Sequence, residues 1–80
     1  MRIDKFLKVS RIIKRRTVAN EACSQGRVLV NEKVAKAGAD VQIGDVIEIK
    51  FGNNTTKIEV KSVAEHVSKE EAREMYTILN

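Results

Sequence analysis

The sequence predicts an α+β domain: two N-terminal helices packed on a small antiparallel sheet, closed by a C-terminal helix. Three observations predict it. Apolar residues recur at helical spacing up to Gly26 and alternate at strand spacing beyond it. Ser68 and Glu71 stand at capping-box spacing ahead of the stripe Ala72, Met75, Tyr76 and Leu79. A chain of 80 residues has room for one hydrophobic core. The domain proper is expected over 1–62, with 63–80 a helical extension packed on it.

The elements follow in order. Over 3–10, Ile3, Phe6, Leu7 and Ser10 share one side of a helix, while Asp4, Lys5 and Lys8 fall on the other. The basic link "RIIKRR" follows. A second helix is expected to open at Thr17, whose hydroxyl can cap free backbone N–H groups, with Glu21 near the positive helix end. Its buried stripe is Val18, Ala19, Ala22 and Cys23. Ser24-Gln25-Gly26 reads as its stop signal, because glycine takes the left-handed conformation a helix end requires. Beyond it, "RVLVNEKVAK" gives a strand, a turn around Asn31 to Lys33 and a strand fragment; "IGDVIEIKF" and "TKIEVKSV" give two strands joined by "GNNT". The terminal stripe packs its helix either on the domain's own sheet or on a partner protein.

Composition narrows the function. Apolar residues make up 42% and charged residues 32%, with no proline, which describes a folded chain rather than a disordered one. Cys23 is the sole cysteine and His66 the sole histidine, so neither an internal disulfide nor a zinc cluster is available, and Cys23 reads as a small buried apolar residue. No apolar run reaches the roughly 20 residues of a membrane span, and the N-terminus is too charged for a secretory signal. The expected location is cytoplasmic, with no membrane partner. No nucleophile with its base, metal set or paired carboxylate site stands out, so no enzyme and no cofactor is expected. "QIGDVIEI" is a turn before a strand; it lacks the further glycines and the lysine of a phosphate cradle.

Charge is the feature that asks for a partner. Residues 1–30 carry eight Lys and Arg against Asp4 and Glu21, a local +6, whereas 31–80 carry seven basic against nine acidic residues, a local −2; together they give the chain's +4. Lopsidedness of this kind suits a polyanion-binding face, because each cation placed on a phosphate releases condensed counterions. Arginine dominates the link, and its flat fork of donors grips phosphate bidentately. With only Phe6, Phe51 and Tyr76 aromatic, stacking of successive single-stranded bases is disfavoured. The link is long and no polar recognition helix follows it, so folded RNA fits better than duplex DNA.

The stretches Arg2-Ile3-Asp4-Lys5-Phe6-Leu7, the basic link, Gln25-Gly26-Arg27-Val28-Leu29-Val30-Asn31 and Ile43-Gly44-Asp45 resemble the S4-type RNA-binding domain, named for small-subunit ribosomal protein four, over about residues 1–50. The resemblance implies two helices packed on a small sheet, the αL motif. It implies an RNA face of Arg2, Lys5, Lys8, Arg11, Lys14, Arg15, Arg16, Gln25, Arg27, Asn31 and Lys36, with Asp4 orienting a neighbouring side chain. Two positions depart from the pattern. Glu32 stands where Gly usually follows Asn31, which weakens the case for a tight hairpin, and Ile43 replaces a Pro before Gly44.

The chain is most similar to the stand-alone members of this family that serve ribosome-associated quality control. These imply a monomeric rRNA- and tRNA-binding factor of protein biosynthesis with three partners: large-subunit rRNA, peptidyl-tRNA and an RqcH-type factor that tails the stalled chain with alanine. Recycling of obstructed subunits, as in the heat-shock-protein-fifteen type, and a role in ribosome assembly are the alternatives.

Overall fold

The computed structural model describes residues 1–80 and has the element order α1 (Ile3–Val9), α2 (Arg16–Ser24), β1 (Val28–Val30), β2 (Lys33–Val34), β3 (Val46–Phe51), β4 (Asn54–Val60), α3 (Lys69–Ala72), a 3₁₀ turn (Arg73–Met75) and β5 (Tyr76–Ile78). The α+β expectation holds. All five strands join one antiparallel sheet in the order β2-β1-β3-β4-β5.

Strand register explains where the core lies. Val28 pairs with Ile49 and Ile47 with Ile58, so these side chains and Val60 point to one face, and all five are fully buried. Helix α1 supplies Ile3, Phe6 and Leu7 to the same core, and α2 supplies Ala19, Ala22 and Cys23. The small residues of α2 allow close approach to α1. Val18, expected in the buried stripe, is instead 43% exposed, because it lies on the flank of the narrow face formed by 19, 22 and 23. Ile13 anchors the link: it is buried, and its N–H donates to the Leu7 carbonyl at 3.0 Å.

Both N-terminal helices end on a residue in the left-handed conformation. At the end of α2, the N–H of Gly26 donates to Cys23 and that of Arg27 to Ala22, each at 3.0 Å, with Gly26 at φ +73°. At the end of α1 the matching place is held by Arg11, at φ +62°, whose N–H donates to Lys8 at 3.1 Å.

The start of α2 differs from the expectation. Its first residue is Arg16, its N-cap is Arg15 without a side-chain cap bond, and no acidic residue sits in the first turn. Thr17 therefore lies inside the helix and caps nothing, and Glu21 stands a turn too late to meet the helix dipole.

The β1–β2 hairpin keeps the tight two-residue turn despite Glu32. Asn31 and Glu32 have φ +50° and +72°, as a type I′ turn demands, and Asn31 is braced by Nδ2 donating to Asp45 at 3.2 Å and Oδ1 accepting from the Val46 N–H at 2.9 Å. This bracing holds a glutamate in a conformation that glycine would adopt without a Cβ clash.

The C-terminal helix forms, but it is shorter than its stripe. The capping box is present, Ser68 Oγ accepting from the Glu71 N–H at 3.1 Å and Glu71 Oε1 from the Ser68 N–H at 3.0 Å. The helix ends at Ala72, tightens through the 3₁₀ turn, and Tyr76–Ile78 run extended beside β4. The open edge of β4 offers unpaired backbone groups, and Tyr-Thr-Ile favours strand, so pairing outcompetes another helical turn. Ala72 and Met75 are buried as the stripe predicted; Tyr76 is half-buried and Leu79 is exposed.

Two outcomes follow. Glu32→Gly is expected to raise stability by on the order of 1 kcal/mol, read as a higher denaturant midpoint at unchanged slope, since the turn geometry is already that of glycine. Cys23 is 3% exposed, and burial, together with the Asp4 charge, pushes its thiol pKa up, so a thiol reagent should react with it slowly until denaturant unfolds the chain.

Candidate nucleic-acid interface

The basic face is organised by one buried acid. Asp4 lies in the first turn of α1 and is 2% exposed. Its Oδ1 accepts from the Lys5 N–H at 2.8 Å, Arg2 Nε at 3.2 Å and Arg16 Nη2 at 3.5 Å, and its Oδ2 from Arg2 Nη2 at 3.2 Å and Asn20 Nδ2 at 3.4 Å. Arg16 and Asn20 reach it together because residues four apart share a helix face.

Burial alone would raise the pKa of Asp4. The hydrogen bonds from Asn20 and Arg16 and the charges of Arg16 and Arg2 outweigh it and hold the carboxyl below the usual carboxylate range. Asp4 is therefore an anion at neutral pH.

The two arginines are gripped at one end and open at the other. Their side chains are 54% and 47% exposed, whereas that of Asp4 is 3%. Each guanidinium has five N–H donors, so several remain free for a phosphate. Gly38 lies under Arg2: a Cβ there would come within 3.9 Å of the guanidinium carbon. The loop carrying Gly38 is tied to α1 by the N–H groups of Ile3 and Asp4, donating to Ala39 at 2.8 Å and Ala37 at 3.3 Å.

The other residues implied by the resemblance separate into groups. Lys36 is exposed in the same loop as Gly38. Lys8, Arg11 and Lys14 line one groove, and together with Arg15 they form no ion pair. Lys5 is turned elsewhere: its Nζ donates to Glu65 at 3.0 Å, which holds the Glu65 carboxyl below its usual range. Gln25 caps the far end of α2, Arg27 is exposed beside it, and the Asn31 amide is engaged in its turn. The sequence reading named Asp4 as an orienting residue but missed Asn20 and Gly38. Asn20 had a signal, its spacing of four from Arg16; Gly38 had none.

Two further observations bear on function. No group of three or more His, Cys, Asp or Glu could hold a metal ion, and no helix is long and apolar enough to cross a membrane.

Comparison with known proteins agrees with this geometry. The S4 domain model matches residues 1–47. The chain is 55% identical over 78 residues to the RQC P-site tRNA stabilizing factor of Halalkalibacterium halodurans, covering 98% of this chain and 89% of that protein. It is 51% identical over 79 residues to the protein of the same name from Bacillus subtilis, covering 99% and 92%. Among solved structures, the trimeric heat shock protein 15 of Vibrio cholerae superposes with a TM-score of 0.90 at 28% identity, covering 99% of this chain and 81% of that one.

Because Asp4 is ionised only above its lowered pKa, its contribution to stability is complete above the unfolded value of about 3.9 and is lost as pH falls through the folded value. Asp4→Asn is expected to cost about 1–3 kcal/mol at pH 7. Denaturation of both proteins should show that gap beginning to narrow as pH falls below about 3.9, where the unfolded chain takes up the proton first, and closing as pH passes through the lowered folded value.

Proposed function

This chain belongs to the S4 domain family, and from that premise we propose that it is a non-catalytic RNA-binding factor of ribosome-associated quality control. It binds the large ribosomal subunit obstructed by peptidyl-tRNA, contacts rRNA and the tRNA together, and holds the tRNA in the peptidyl position. It works in the cytoplasm as a monomer.

One observation carries the reading: a buried carboxylate fixes two half-exposed arginines at the N-terminal end of a basic surface. A side chain fixed before binding loses less entropy on meeting a phosphate, so the surface is built for a particular backbone shape rather than for loose attraction. The names of the relatives support the identity of the RNA, since they describe stabilisation of a P-site tRNA.

The contribution is positional. No bond is made or broken by this chain; it lowers the freedom of a tRNA that lacks the small subunit to hold it. An RqcH-type factor then has a fixed acceptor on which to extend the stalled chain with alanine. The likeness to heat shock protein 15 favours one second reading, recycling of the same obstructed subunits without tailing.

Co-sedimentation with purified large subunits, with and without peptidyl-tRNA, tests the proposal. Selective binding to obstructed subunits is expected, and Arg16→Ala or Arg2→Ala should weaken it by about tenfold or more, the worth of one charge-assisted hydrogen bond. Equal binding to vacant subunits would indicate an assembly role instead. Alanine tails that persist in a deletion strain would favour the recycling reading.

A further inference from the structure

Arg11 is the residue that the fold leaves unexplained. Of the three non-glycine residues at positive φ, Asn31 and Glu32 are fixed by their hairpin turn. Arg11 occupies the helix-end place that Gly26 fills in α2, at a cost glycine would avoid. Its side chain is exposed and contributes nothing to the core.

That side chain lines a groove of about 570 Å³ between the link and the C-terminal segment. One wall carries Lys8, Arg11 and Lys14; the other carries His66, Lys69 and Arg73. None of these six has an ion-pair partner. The single acid in the groove, Glu65, is neutralised by Lys5, and the same ion pair fixes the second wall against α1. Tyr76 and Val67 give the floor an apolar part.

The second wall is a tertiary product. Residues 61 and 62 donate their N–H groups to the Met75 carbonyl at 2.7 and 3.2 Å, and β5 binds to β4, so the short α3 is held beside the link. Lys69 and Arg73, four apart on one helical face, are thereby brought to basic residues more than 50 positions earlier in the chain.

We propose that this groove is a further binding site for an RNA phosphate backbone, separate from the Asp4-organised arginines, and that residues 66–73 are part of the RNA interface. It rests on the RNA-binding reading above and extends it to a segment outside the S4 match at 1–47. The two sites lie at opposite ends of α1, about 10 Å apart at 1.5 Å per residue, a separation that one folded RNA can span. Five unpaired Lys and Arg side chains with one neutralised acid select a polyanion, and their spread over both walls of the groove favours a backbone of successive phosphates over a lone one.

The test uses the full chain and large subunits carrying peptidyl-tRNA, with affinity measured across salt concentration. Lys69→Ala with Arg73→Ala should make the slope of log affinity against log salt shallower by about 2, at roughly 0.9 per phosphate contact. The charge-matched pair Lys50→Ala with Lys57→Ala, outside both sites, should leave it unchanged. Arg11→Gly should melt at or above the wild-type temperature yet bind about tenfold more weakly, which separates binding from folding.

A wild-type slope in the Lys69/Arg73 variant overturns the groove site while leaving the Asp4 site intact. Unchanged subunit affinity with lost alanine tailing would assign the groove to an acidic protein segment and also overturn it. Failure of the wild-type protein to bind obstructed subunits would remove the RNA-binding reading itself, and this site with it.

Discussion

The carboxylate of Asp4 is the constraint on which the basic face depends. Five groups donate to it, from the residue before α1, from α1 itself and from α2, and it is buried where those elements meet. An anion in such a place is tolerated only because it is fully paired. Ion pairs with half-exposed arginines add little to stability by themselves, about 1 kcal/mol or less each. What they add is position: two guanidinium groups 14 residues apart in sequence converge on the two oxygens of one side chain. The buried acid in a basic region is thus a device for aiming charge, not a flaw in the charge pattern.

The rest of the molecule serves to keep that junction rigid. Helix α1 is only seven residues long and would not hold its shape alone. Its Ile3, Phe6 and Leu7 pack on the alternate residues of β1, β3 and β4, and the loop over 37–39 accepts its first free N–H groups. The ion pair between Met1 and Asp40, at 2.6 Å, closes the same corner. A small core therefore suffices, because most of it lies directly beneath the two N-terminal helices.

Strain is placed unevenly. Asn31 and Glu32 carry left-handed backbone where the right-handed twist of a hairpin requires it, and Asn31 is repaid by two hydrogen bonds to 45 and 46. Arg11 carries the same strain at a helix end where glycine is the usual solution, as Gly26 shows in the same chain. The difference is chemical. Glycine would end the helix as well but would leave the groove one cation short.

How much of this was legible follows from the range of each interaction. Local signals were reliable: the helical spacing of Ile3, Phe6 and Leu7, the glycine stop at 26, the alternation of Ile47, Ile49, Ile58 and Val60, and the capping box at 68–71 all act within a few residues. So was the basic bias of the first 30 residues, which is a sum over positions. Two failures had a distant cause: Tyr76–Ile78 turned from helix to strand because β4 had a free edge, and Lys5 was drawn to Glu65, 60 residues away. Two were local: α2 begins one residue before Thr17, and Val18 lies on the flank of its buried face. The sequence by itself determined the fold class, most of the core residues and the polyanion-binding character, because periodicity and charge are properties of the chain. Only the tertiary structure decided which cations converge on Asp4, which line the groove and which are neutralised, because long-range pairing depends on where folded elements meet.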